Sequence, residues 1–273
     1  MAYFIQKRKG CPEGMKEKIY TIPINEAFDQ KSECPLCLCE RKLENDALEY
    51  HLGPAMMEPD SRIETNRTGF CAIHFTRLYN MQANRLALGL VIDTHMMEQN
   101  KALEDIYKKY EPRIKKDLEK GLLESAVDSL KGKKGAGHEL SESLLKKLSE
   151  LEKTCAVCDR IQNNMTRFLE TVLYLYFKEE EFRQKFNNSQ GFCLKHFKML
   201  LESASKELGA ARQTAFLEGL LPLQLNNMKR VQEEVSHFTK MFDYRSANLD
   251  WKNSRDAVPR SIEKLSGPCD LMR

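Results

Sequence analysis

The sequence predicts an all-α protein made of two similar halves, each clamped by a Cys3His metal site. Three observations predict it. Apolar residues recur at helical spacing along most of the chain, alternation with a period of two is nearly absent, and eight cysteines and histidines fall into two matching groups of four.

Residues 1–14 read as an N-terminal extension. They begin MAYFIQKRKGC, with apolar residues before basic ones, the reverse of a secretory signal, and Met15 opens a more ordinary start. Residues 15–130 form the first helical repeat. Tyr20-Thr-Ile-Pro23 is expected to be an extended lead-in, because proline removes a backbone donor. Ile114, Leu118, Leu122, Ala126, Val127 and Leu130 make a helical stripe near the end of this repeat. The segment 131–138, KGKKGAGH, is a glycine-rich linker. Residues 139–242 form the second repeat. Its stripes are Leu140, Leu144, Leu145, Leu148 and Leu151, then Ile161, Met165, Phe168, Leu169, Val172, Leu173 and Tyr176. A long third stripe runs from Leu217 through Leu221, Leu225, Met228, Val231, Val235 and Phe238 to Phe242, kinked or started near Pro222. Residues 243–273 are a polar C-terminal tail carrying the only tryptophan. It is expected to wrap back on the body through Trp251 and Leu265; a partner-binding arm is the competing reading.

A chain of 273 residues can bury a substantial core without help from metal or disulfides. Its net charge of +3 is spread over interleaved acidic and basic residues, so nucleic acid is not an expected partner. No apolar run approaches the ~20 residues of a membrane span, and the expected location is the cytoplasm. The nine cysteines are an odd number, which argues against a disulfide framework.

Cys34-Pro-Leu-Cys37 is followed, well down the chain, by Gly69-Phe-Cys71-Ala-Ile-His74. Cys155-Ala-Val-Cys158 is followed at a nearly equal interval by Gly191-Phe-Cys193-Leu-Lys-His196. Leu48-Glu49 and Leu169-Glu170 sit at equal distances from the first cysteine of each group. Three thiolates and an imidazole suit a tetrahedral divalent ion, above all zinc. A C-x-x-C turn aims two sulfurs at one point, and C-x-x-H does the same on the first turn of a helix, where residues three apart share a face. The local reading joins Cys34, Cys37, Cys71 and His74 in one site and Cys155, Cys158, Cys193 and His196 in the other, with two zinc ions per chain. An iron–sulfur cluster, a dithiol redox pair and buried cysteines without metal are the alternatives. Four protein ligands close the shell of zinc, which favours a structural over a hydrolytic metal. Cys39 reads as a small buried residue or an alternate ligand, Cys269 as an incidental thiol in the tail, and Cys11 falls in the extension.

The halves differ before their GFC phrases. The first carries LGPAMMEPDSRIETNR, read as a loop where the second continues a helix. If extended, it aligns Glu58, Asp60, Arg62 and Glu64 on one side, with His95 on the following helix as a further member. Such a row suits a polar ligand or acid–base chemistry; a solvated loop with local ion pairs is the plainer reading. No phosphate-loop or dinucleotide fingerprint is present. The expected function is binding or regulation, with a protein or small-molecule partner and structural metals. Two alternatives stand beside it: an enzyme using the first-half loop, and an iron–sulfur or thiol redox protein.

KIYTIPINEAF, CPLC, DALEYHLGPAMMEPDSRIETN, GFCAIH and NSRDAVPRSIEKLSG together make the chain resemble an uncharacterised bacterial family, known chiefly from Firmicutes and anaerobic relatives and defined only as a domain of unknown function. The resemblance runs from Met15 onward. It implies a bacterial cytoplasmic protein and supplies no reaction, substrate or partner.

Overall fold

The computed structural model describes residues 13–119, 135–243, 250–269 and 271. Among these, all regular structure is helical, in agreement with the periodicity. The helices are α1 (Glu13–Asp29), α2 (Pro35–Leu52), a 3-10 turn (Pro54–Met57), α3 (Pro59–Thr68), α4 (Ala72–Asn80) and α5 (Arg85–Glu119). They continue as α6 (Ala136–Leu151), α7 (Ala156–Lys178), α8 (Glu180–Asn187), α9 (Leu194–Glu207), α10 (Ala210–Lys240) and α11 (Ala257–Ser266). Cys11 with the rest of 1–12, residues 120–130 of the first stripe and residues 131–134 of the linker lie outside the described residues. Glu13 and Gly14, read as the end of the extension, already belong to α1. Within the linker, Gly135 is the N-cap of α6, so Ala136–His138 are already helical.

Three sequence expectations are corrected. The Tyr20–Pro23 stretch is helical, with Pro23 inside α1. Ile24, Ala27 and Phe28, spaced as one helix face, are all buried, and that burial outweighs the donor lost at Pro23. Pro222 likewise sits inside α10, which starts at Ala210 and not at the proline. The supposed extended loop is the 3-10 turn followed by α3, with Pro59 at a first-turn position, where a missing N–H costs nothing.

The chain divides into two compact units, Met1–Leu43 with Gln162–Arg273, and Glu44–Ile161. This differs from the halves 15–130 and 139–242 read from the sequence, because the boundaries fall inside α2 and α7. Each helix that begins at a C-x-x-C motif carries its chain onward into the other unit. The 18 residues of α2 rise about 27 Å, and the 10 residues of α3 could bring the chain back by at most about 15 Å.

The first unit is built on aromatic packing. Phe28 of α1 meets Phe182 and Phe186 of α8 and Phe192 of the second GFC phrase, at ring separations of 4.9, 5.8 and 6.2 Å. Tyr176 of α7 meets Phe186 and Phe216 edge-on, each at 5.0 Å. Such rings each bury roughly 150–250 Å² and weigh heavily in a core's energetics. The tail does fold back, but only one of its expected anchors serves. Trp251 packs on Phe238 of α10 and on Phe242 just past its end, at 5.9 and 6.0 Å. Leu265 is exposed, and its neighbour Lys264 is the buried residue.

In the second unit the long α5 is braced against α6 and α3 by polar groups. Arg113 pairs with Glu139 through two bonds of 2.6 and 2.7 Å, and Asp117 accepts the Ala136 N–H at 2.8 Å, satisfying a free donor at the start of α6. Arg62 of α3 donates to Leu90 O and Thr94 Oγ1, at 3.0 and 2.7 Å.

Candidate metal centres

All four ligand-bearing motifs sit at helix starts. Cys34 precedes α2 and Cys155 precedes α7, so each C-x-x-C pair closes the first turn of its helix; the Cys37 N–H reaches Cys34 O at 3.0 Å. Cys71 is the N-cap of α4 and Cys193 the N-cap of α9. The Cys193 sulfur accepts the His196 N–H at 3.4 Å, and the Cys155 sulfur accepts the Cys158 N–H at 3.5 Å. Helix starts present free N–H groups and a positive dipole end, which favour the thiolate a metal needs.

The glycine of each GFC phrase turns the chain into its helix with a left-handed backbone, at φ 59° for Gly69 and 72° for Gly191. A side chain at either position would also crowd the neighbouring long helix. A Cβ on Gly69 would lie 2.6 Å from His95 Nε2, and one on Gly191 would lie 3.2 Å from Gln224 Oε1. Phe70 and Phe192 are buried, as anchors of the turn should be. Gln224 of α10 holds the second phrase from both sides, accepting the Phe192 N–H and donating to Phe192 O, each at 2.9 Å. In the first phrase, Gly69 O accepts the Ala156 N–H at 3.0 Å and Thr68 O accepts the Thr154 hydroxyl at 2.8 Å.

The eight ligand residues gather into two groups of four, but not the groups that sequence proximity suggests. Cys34 and Cys37 join Cys193 and His196; Cys71 and His74 join Cys155 and Cys158. Each C-x-x-C pair is completed by the C-x-x-H pair of the other repeat. The assignment of Cys34, Cys37, Cys71 and His74 to one site, and of Cys155, Cys158, Cys193 and His196 to the other, is therefore corrected. The clamp belongs to the compact unit and not to the sequence repeat, for the reason of helix length given above.

In each group the ligand atoms all lie within 4.8 Å of one another. In the first, His196 Nδ1 lies 3.4 Å from Cys34 Sγ, 3.4 Å from Cys37 Sγ and 3.2 Å from Cys193 Sγ, and Cys37 Sγ is 3.6 Å from Cys193 Sγ. In the second, His74 Nδ1 lies 3.2 Å from Cys71 Sγ, 3.2 Å from Cys155 Sγ and 3.4 Å from Cys158 Sγ, and Cys71 Sγ is 3.9 Å from Cys158 Sγ. A tetrahedral zinc with ordinary bond lengths gives edges of about 3.5–3.8 Å between such ligands. The donor sets and their spacing fit one such ion each.

Both histidines turn Nδ1 to the sulfurs and Nε2 to a carboxylate of α2. His74 Nε2 lies 2.9 Å from Glu44 Oε1, and His196 Nε2 lies 3.2 Å from Glu40 Oε2. The first is a well-formed hydrogen bond; the second is close enough for an ion pair but misaligned for a bond. Carboxylates so placed fix the ring orientation and the proton position, and they raise ligand basicity. Burial alone would lower both imidazole pKa values, but the sulfurs and carboxylates outweigh it. With no ion in place, His74 is raised to about 10, chiefly by Cys155 and Glu44, and His196 to about 11, chiefly by Cys193, Cys34 and Glu40. Burial pushes the Cys155 thiol up, yet His74 and the N–H of Cys158 bring it down to about 6. The thiols of Cys34 and Cys37 hold Cys193 far below its usual range. Each cluster thus stabilises a thiolate before any metal arrives. We expect Glu44→Gln to weaken metal binding at the second centre by about 10–100-fold, read by chelator competition, with the first centre unchanged.

The first centre is sealed by the C-terminal segment. Lys264, buried on α11, donates to Glu33 O at 2.7 Å and to Gln190 O. Glu33 immediately precedes Cys34, and Gln190 immediately precedes the second GFC phrase, so one ammonium ties together the two loops that carry the ligands. Burial lowers the Lys264 pKa, against the pull of Glu33. The Glu33 carboxylate in turn accepts from Arg230 at 2.6 Å and from Arg260 at 3.0 Å. Burial pushes its pKa up, but these cationic partners hold it below the usual carboxylate range.

The residues of the first-half loop do not converge. In a helix, residues two apart point to opposite sides. Asp60 and Glu64 are exposed, Glu58 pairs with Tyr50, and Arg62 is committed to α5. His95 donates to Asn66 O, 2.7 Å away, and packs on Gly69. Of these side chains, Arg62 and His95 brace α3 on α5. Cys39 is buried, its thiol pushed up to about 12 by burial, and it belongs to neither metal group.

Sequence reasoning missed Glu40 and Glu44, although Cys37, Glu40 and Glu44 recur at i, i+3 and i+7 and so share a helix face. It also missed Lys264, whose signal is a lysine standing two helical turns after buried Ala257, on the inward face of α11.

The comparisons add one finding. A family model described as "Family of unknown function (DUF6062)" matches residues 15–271. No curated protein matches the chain. No solved structure matches it either.

Proposed function

The chain belongs to DUF6062, a family of unknown function, and we propose that it is a zinc protein with two structural ions and a binding or regulatory role. The observation that carries this reading is the pair of closed four-ligand sets. Each offers three sulfurs and one nitrogen within 4.8 Å of one another. A closed set leaves no coordination position for substrate or water, so the ions brace the fold. An iron–sulfur cluster would spread its ligands around several metal atoms and bridging sulfides; groups this tight fit one ion apiece. The eight described cysteines are free of disulfides, which suits a reducing compartment such as the cytoplasm. Among the described residues no helix is long and apolar enough to cross a membrane.

Elemental analysis of the purified chain tests the proposal. The expected result is about two zinc ions per chain and no visible absorbance. Stoichiometric iron with visible charge-transfer bands, or no metal at all, overturns it.

A further inference from the structure

The two centres have the same donors and different access. In the first, the exposed fractions are 3% for Cys34, 8% for Cys37 and zero for Cys193 and His196. In the second, His74 and Cys155 are buried, but Cys71 is half-buried and Cys158 is exposed. The two less buried cysteines are also neighbours, their sulfurs 3.9 Å apart. Reactivity of a thiolate toward oxidants follows its thiolate character and its exposure. Metal coordination keeps both sulfurs deprotonated.

We propose that the second centre is an oxidation site for hydroperoxides, at which Cys71 and Cys158 form a disulfide and the zinc ion leaves. The proposal rests on the zinc reading above. The Cys158 sulfur attacks the terminal oxygen of the peroxide; an S–O bond forms, the O–O bond breaks, and the leaving oxygen takes a proton from solvent to give water or an alcohol. The Cys71 sulfur then attacks the Cys158 sulfur. An S–S bond forms, the S–O bond breaks, and the departing hydroxide takes a second proton. Two thiolates lose two electrons, the peroxide gains two, and two solvent protons are consumed. His74 and Cys155 remain, too few to keep the ion. A thiol reductant reverses the step by exchange at the disulfide, and zinc then rebinds. The buried first centre serves as an internal control with identical ligand types.

The experiment treats the two-zinc full chain with hydrogen peroxide, follows zinc release with a chromogenic chelator and maps disulfides by peptide mass spectrometry. The expected result is release of one zinc per chain at least about tenfold faster than the other, together with a Cys71–Cys158 disulfide. Dithiothreitol and added zinc restore the starting state. Release of both ions at one rate, loss from the first centre first, or a fast-phase product without the Cys71–Cys158 bond overturns the proposal while leaving the zinc reading intact. A chain purified without zinc overturns both.

Discussion

A chain carrying Cys34→Ser and Cys193→Ser together is expected to retain one zinc ion, whereas one carrying Cys34→Ser and Cys71→Ser is expected to retain none. The first pair strikes one centre twice, since Cys34 and Cys193 share it. The second pair strikes both centres once. Ligand sets drawn within each repeat give the opposite result, no zinc for the first pair and one for the second. Metal content of the two variants by mass spectrometry therefore decides between the arrangements without a further structure. Loss of one thiolate from a four-ligand set removes a major share of the affinity, so the contrast is one ion against none.

Withdrawal of both ions is expected to abolish cooperative thermal unfolding. Structural zinc contributes on the order of 10 kcal/mol to the fold that holds it. Typical domains have a net stability of only about 5–15 kcal/mol. The check is a thermal melt by circular dichroism before and after a strong chelator at neutral pH, followed by zinc return. An unchanged melting curve in demonstrably metal-free protein would sink the structural role. Acid acts in the same direction. Binding displaces protons from cysteine and histidine, so affinity falls as pH falls and those groups reclaim them.

The helical class was legible because the stripe Met165–Tyr176 buries one face at a period near 3.6, whatever its neighbours do. The stripe read from Leu217 marked a helix but not its buried face: Leu221 and Leu225 are exposed, and α10 buries Phe216, Leu220, Gln224 and Val231 instead. The eight ligands were legible because a metal demands soft donors in close pairs. Their partition was not. Spacing along the chain reports how much sequence intervenes, and says nothing of whether that sequence returns or travels straight on. A helix as long as α2 travels. The near-equal intervals from Cys37 to Cys71 and from Cys158 to Cys193 favoured the local grouping for a reason unrelated to space. The row Glu58, Asp60, Arg62 and Glu64 misled in another way. Pro59 is well tolerated in a helix's first turn, and α3 buries Ser61, Thr65 and Thr68 instead of apolar residues. A polar buried face carries no hydrophobic period to read.

The crossed pairing has a consequence for biosynthesis. The first C-x-x-C motif leaves the ribosome together with Cys71 and His74, while Cys193 and His196 are still untranslated. Closing a wrong tetrad with those early partners makes a ring from Cys37 to Cys71, whereas the native closure runs from Cys37 to Cys193 and is several times longer. By loop entropy the shorter ring is favoured by about 1.4 kcal/mol. A metal ion supplied during translation would therefore favour the wrong tetrad first, and the finished polypeptide would have to exchange ligands to reach the native one. Metal added after synthesis avoids that detour.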